Sequence, residues 1–253
     1  MNSGMYSALS GNLAAMRRLD VITNNLANAG TSGFKQDRIV FDSLLAGKKN
    51  PPRVPEASTA DPVLLGDRLL TDFSQGAVRS TDNVLDLAIS GDGFFAVSTP
   101  DGTAYTRQGN FKLTNDGTLV TAAGLPVQSS GGQPIIINTL NAEENAKVVV
   151  DSQGNITING EAIATLGLYD FPKPYQLTKL AGAMFVPADE NSTPQPVSPI
   201  TTVAQGALEE SNVDAVSSMV QMIEASRYFE SCQKVILSYN EMAAKAVNEL
   251  ARV

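Results

Sequence analysis

Histidine and tryptophan are absent from the 253-residue chain, and cysteine occurs once, at Cys232. These absences remove a histidine general base, a Cys/His zinc site and any disulfide framework, and with them most familiar catalytic machinery. Chemistry built on carboxylates or on an aromatic surface is left to be weighed on its motifs. Basic residues are also few: 18 Lys and Arg stand against 26 Asp and Glu, a net charge of −8, with no basic block. Such a chain has little to offer phosphates or an anionic membrane surface, so nucleic acid is excluded as a partner. No run of about 18 apolar residues occurs, and the N-terminus lacks the basic and apolar regions of a secretory signal. The chain is therefore not expected to span a membrane, and is either cytoplasmic or exported without a cleaved signal.

What is present is 43% hydrophobic residues, ample for one large domain or two modest ones. Alternating steps of three and four from Ala215 give Ser218, Met222, Ala225, Phe229, Cys232, Ile236, Tyr239, Ala243, Ala246, Leu250 and Val253. That spacing is a heptad seam on a helix from about residue 212 to 253, roughly 60 Å long, with capping residues in Ser211–Asp214. At the other end Met5, Leu9, Asn12, Met16, Leu19, Thr23 and Leu26, flanked by Ala8, Ala15 and Ile22, predict a helix from about 3 to 28. It stops in "TNNLANAGTSGFKQ", where Asn28, Gly30 and Gly33 offer turn conformations. A single such stripe would ordinarily face its own domain's core. Two stripes at opposite ends favour pairing with each other or with other chains.

Between them, from about 72 to 207, short β-prone runs are punctuated by Asp101-Gly102, Asp116-Gly117, Gln153-Gly154 and Asn159-Gly160, the signature of tight hairpins. The fold class predicted is α+β: long N- and C-terminal helices forming a coiled coil, with a mainly β middle domain built of hairpins. The division expected is 1–36 helix and turn, 37–71 linker or extended arm, 72–207 β domain and 208–253 helix. The apparent motifs are weak. Gly91-Asp-Gly93-Phe-Phe-Ala96 has the spacing of a dinucleotide fingerprint but runs into a strand rather than opening a helix, so it reads as a β-turn. Asp82, Asp86 and Asp92 match no calcium loop and sit where turns need Asp.

"LDVITNNLANAGTSGFKQDR", "DNVLDLAISGDGFFAV", "YTRQGNF", "NDGTLVTAAGLPV" and "GALEESNVDAVSSMVQMIEASRYFESCQKVI" together resemble the bacterial flagellar axial proteins, the rod and hook proteins of the basal body. The resemblance covers the N-terminal, middle and C-terminal regions in family order. Length and the "MIEASRYFESCQKVI" segment are most similar to the proximal rod class; a distal rod or hook-type subunit is the alternative. The resemblance implies a structural subunit whose terminal helices polymerise with copies of itself and other flagellar rod proteins. It also implies a protein that is not an enzyme, with no cofactor, no metal and no small-molecule substrate, passage through the flagellar type III export apparatus, and residence in the periplasmic part of the basal body. Subunit contacts are then expected at Leu9, Met16, Leu19 and Leu26 on the first helix, and at Asn24, Asn25, Asn28, Gly33 and Phe34 in the turn. On the last helix they are expected at Met222, Phe229, Ile236, Tyr239 and Leu250. The competing reading is a β-rich carbohydrate-binding or hydrolytic protein with Phe94, Phe95 and Tyr105 as a sugar platform.

Overall fold

The computed structural model describes residues 2–42, 66–137, 148–180, 182–189 and 192–250. They fall into two compact units. One comprises Met1–Ala27, Gln36–Asp72 and Asp214–Val253; the other comprises Asn28–Lys35 and Phe73–Val213.

The first unit holds both helices, α1 (Asn2–Ala27) and α2 (Ala215–Leu250), and a hairpin of Asp37–Asp42 with Gly66–Thr71. The Asp214 carboxylate caps α2, accepting from the Val216 amide at 3.0 Å and the Ser217 amide at 3.3 Å. Of the predicted α2 seam, Ala225 and Cys232 are buried, and Ala215, Ser218, Met222, Phe229, Ile236 and Tyr239 are half-buried. From Asn240 to Lys245 every residue is exposed. Gly11 of α1 faces the Tyr228 hydroxyl and the Cys232 sulfur. Together with the end of burial at Tyr239, this fixes α1 antiparallel to α2, the start of α1 lying near Tyr239.

This corrects the expected coiled coil of two long helices. At 26 residues against 36, α1 is too short to cover α2 along its length. Four of the seven predicted α1 stripe residues also point outward, since Met5, Leu9, Met16 and Thr23 are exposed. The inward face is instead Ala8, Gly11, Asn12, Ala15, Leu19, Ile22 and Asn25. Small residues let the helix backbones approach: a Cβ at Gly11 would meet the Tyr228 hydroxyl at 3.2 Å. The proline-rich stretch 47–61 of the expected linker lies outside the described residues.

The second unit is mainly β and antiparallel throughout. Its six-stranded sheet runs Leu177–Leu180, Met184–Pro187, Gly102–Thr106, Phe94–Thr99, Leu168–Asp170 and Gln195–Pro196. The Asn159-Gly160 turn, with φ of 52° and 90°, joins Asn155–Ile158 to Glu161–Thr165 in a three-stranded sheet. Positive φ at both positions is what a two-residue hairpin demands. Two non-local pairs close the unit: Thr202–Gln205 with Leu87–Ser90, and Ala207–Glu209 with Val78–Ser80. Phe94, Phe95 and Tyr105 are buried in this core, Phe94 stacked edge-on against Phe73, Phe171 and Phe185. They form no exposed sugar platform.

Candidate assembly site

The turn that follows α1 is built into the β unit by an ionic cluster. Lys35 Nζ donates to Glu209 Oε1 at 2.6 Å and to the Ser74 carbonyl at 2.6 Å. Arg107 Nη1 donates to Glu209 Oε2 at 3.0 Å, and Nη2 to the Gly91 carbonyl at 2.7 Å. The Gly76 amide donates to Glu209 Oε1 at 3.0 Å. Lys35 and Glu209 are 1% exposed and Arg107 is 4% exposed. Two cations share one carboxylate, and the backbone carbonyls of Ser74 and Gly91 accept further hydrogen bonds from them.

The rest of the turn follows from that anchoring. Gly33 takes φ 66°, and its amide donates to the Glu209 carbonyl at 2.8 Å. A Cβ there would collide with the Arg107 carbonyl and the Gln108 nitrogen, so both conformation and space require glycine. Phe34 is buried with Ala183 and Val213, and the Lys179 ammonium lies 3.8 Å from its ring centroid. That ammonium also donates to the Lys35 carbonyl at 2.7 Å. The Asn28 side-chain oxygen accepts from the Thr31 hydroxyl at 3.2 Å.

In the helical unit the Asn25 carboxamide is buried and bonds in both directions to Asp37, donating to its carbonyl at 2.8 Å and accepting from its amide at 2.9 Å. The sequence-based contact residues thus divide. Asn25, Gly33 and Phe34 are occupied inside their own chain. Leu19, Leu26, Met222, Phe229, Ile236 and Tyr239 are half-buried, while Leu9, Met16 and Asn24 are exposed. The side chain of Leu250 lies outside the described residues.

Two features escaped the sequence reading. Lys35, Arg107 and Glu209 were not singled out, although each lies in a quoted segment; a lone lysine closing a long uncharged stretch was the available signal. Nor were the outward apolar residues of α2, Val216, Met219, Val220 and Ile223, all more than half exposed. They lie on the side of α2 opposite Ala225 and Cys232, so the first half of that helix is apolar on both faces.

Two carboxylates elsewhere are held by neighbouring side chains. The Lys173 hydrogen bond to Asp92, at 2.7 Å, holds that carboxyl below the usual range, and bonds from Asn155 do the same for Asp151. Among the described residues no cluster of three or more His, Cys, Asp or Glu is placed to hold a metal, and no helix is long and apolar enough to cross a membrane.

Comparison with known proteins matches three segments. Residues 5–35 fit the family described as "Flagella basal body rod protein", and residues 88–158 fit "Flagellar hook protein FlgE/F/G D1 domain". Residues 204–249 fit "Flagellar basal body rod FlgEFG protein C-terminal". Lys35, Arg107 and Glu209 fall one in each. The flagellar basal-body rod protein FlgF of Rhizobium meliloti (strain 1021) is 36% identical over 99% of this chain and 98% of its own length. FlgG of Bacillus subtilis (strain 168) is 35% identical over 98% and 99%. FlgF of Caulobacter vibrioides is 32% identical over the full length of both. None of these matches is to a catalytic family.

Proposed function

The chain belongs to the flagellar basal-body rod protein family, and from that premise we propose that it is a structural subunit of the rod that polymerises through its helical unit. The supporting observation is the apolar surface that the helix pair leaves uncovered. Met5, Leu9, Leu13 and Met16 line one side of α1, and Val216, Met219, Val220 and Ile223 line α2. A monomer would keep such contiguous apolar faces in water at a cost; a polymer buries them. The contacts reside in the exposed Leu9 and Met16 together with these α2 residues, while Asn25, Gly33 and Phe34 serve their own chain.

The partners are other copies of this chain and other flagellar rod proteins. The chain leaves the cytoplasm through the flagellar type III export apparatus and resides in the periplasmic part of the basal body. The proximal placement draws support from length. The FlgF relatives align over 252 to 255 positions, whereas the FlgG relatives need 260 to 275. Deleting the gene in frame tests this reading: cells should lose motility and regain it on complementation with the intact chain. Motile deletion cells with complete basal bodies would refute it.

A further inference from the structure

We propose that Gly33, Phe34 and Lys35 form a latch, a separable segment that plugs into a socket on the β unit and, when closed, favours the pairing of α1 with α2.

The socket does not depend on the plug. Glu209 is held at 3.0 Å by Arg107 and at 3.0 Å by the Gly76 amide, and neither belongs to the segment. Phe34 enters a small apolar cluster with Ala183 and Val213, apart from the two clusters that make up the β core. None of residues 28–35 lies in a strand, so withdrawing them breaks no ladder.

The plug makes one contact of each kind. The Gly33 amide donates to the Glu209 carbonyl at 2.8 Å, the Phe34 ring is buried, and the Lys35 ammonium meets the Glu209 carboxylate at 2.6 Å. The Phe34 carbonyl accepts from the Asn212 amide at 3.4 Å, and the Asn212 carboxamide donates to the same Ser74 carbonyl that takes Lys35. Contacts crowded into three consecutive residues open and close together, as a small cooperative unit does.

The latch ties together the two chain ends from which the helices start and stop. Gly11 faces Tyr228 and Cys232, so in the antiparallel pair Ala27 lies level with the first residues of α2. Phe34 is held to Asn212 and Val213, just before α2 begins at Ala215. With the latch open, α1 is tethered through residues 28–72, in which the hairpin of Asp37–Asp42 with Gly66–Thr71 has two strands and little stability of its own. With the latch closed, the tether is residues 28–32. Effective concentration falls roughly as the −3/2 power of tether length, so closure raises that of α1 beside α2 on the order of tenfold. By linkage, paired helices hold the latch shut by the same factor. The coupling acts within one chain and needs no polymer.

The test uses the full chain in dilute solution. A Cβ at Gly11 would stand 3.4 Å from the Cys232 sulfur, within disulfide reach. In a Gly11→Cys chain the rate of intramolecular disulfide formation under a fixed oxidant therefore reports how often α1 pairs with α2. Adding Lys35→Met or Gly33→Val should open the latch, read as faster amide exchange at Asn212 while Ala96 and Val127 of the β core stay protected. Each should slow the disulfide on the order of tenfold. In reverse, the closed disulfide should slow exchange at Asn212 by a similar factor. An opened latch with a disulfide rate within about twofold of the Gly11→Cys parent would overturn the coupling. Loss of protection at Ala96 and Val127 along with Asn212, or an Asn212 amide unmoved in both variants, would overturn the latch as a separable element. A Gly11→Cys chain that forms no disulfide would overturn the helix pairing on which the latch acts. Each of these results would leave the rod assignment standing.

Discussion

Glu209→Gln tests whether the ionic cluster holds the β unit together. The substitution keeps the side chain's shape and one acceptor oxygen but removes the carboxylate that Lys35 and Arg107 share, at 2.6 and 3.0 Å. Both cations, at most 4% exposed, then lose the carboxylate that bridges them. Breaking a buried pair from one side costs about 3–5 kcal/mol because desolvated charge is left behind. For a chain of this size each kcal/mol moves the melting midpoint by about 2–4 °C, so a drop of roughly 6–20 °C is expected in thermal unfolding of the purified chain. Amide exchange should place the loss at Gly33 and Gly76, whose N–H groups bond to Glu209. The informative contrast is the all-apolar replacement Lys35→Met, Arg107→Met, Glu209→Leu. It removes the charges as a set and should cost much less than Glu209→Gln alone. A loss below about 1 kcal/mol in Glu209→Gln, or a triple variant much worse than the single, would refute the reasoning.

Three further outcomes follow from the same geometry. Asn25→Ala should destabilise the isolated chain by about 1–3 kcal/mol and speed exchange of the Asp37 amide, because two buried backbone groups lose their partner; an unchanged melt would count against this. Gly33→Val should lower the melting midpoint of the monomer, from the left-handed φ and the collision with Arg107 together, and Gly33→Ala should do so nearly as much; a tolerated alanine would refute the steric argument. Asp92 and Asp151 have lowered folded-state pKa values, so the stability they add is present above the ordinary carboxylate pKa, near 3.9, and is lost as pH falls through their folded values. Melting midpoints measured from pH 5 downward should therefore decline less steeply in a Lys173→Met, Asn155→Ala variant; an unaltered slope would contradict the assignment.

The sequence made the helices legible, because each carries a long 3/4 periodicity with turn or capping residues at one end. It misplaced the inward face of α1 for a physical reason. Ranking positions by side-chain size favours Met5, Leu9 and Met16, yet a closely approaching helix pair selects Gly11 and Ala15. Hairpins were legible wherever a turn pair fixes local conformation, as at Asn159-Gly160. Pairings such as Leu87–Ser90 with Thr202–Gln205 join segments more than a hundred residues apart, and no local signal encodes them. The turn residues were recognised as unusual, but their partners were assigned across subunits. Asn25 and Gly33 find them at Asp37, Arg107 and Glu209 of the same chain, and periodicity says nothing about contacts of that range.

The central claim is that this chain is a built-in part of the rod. Quantitative mass spectrometry of purified basal bodies, referenced to known rod and ring components, tests it most directly. The account predicts the chain at a fixed, multiple copy number per basal body, retained through washes that remove the export apparatus. Motile cells whose washed basal bodies lack the chain would contradict it.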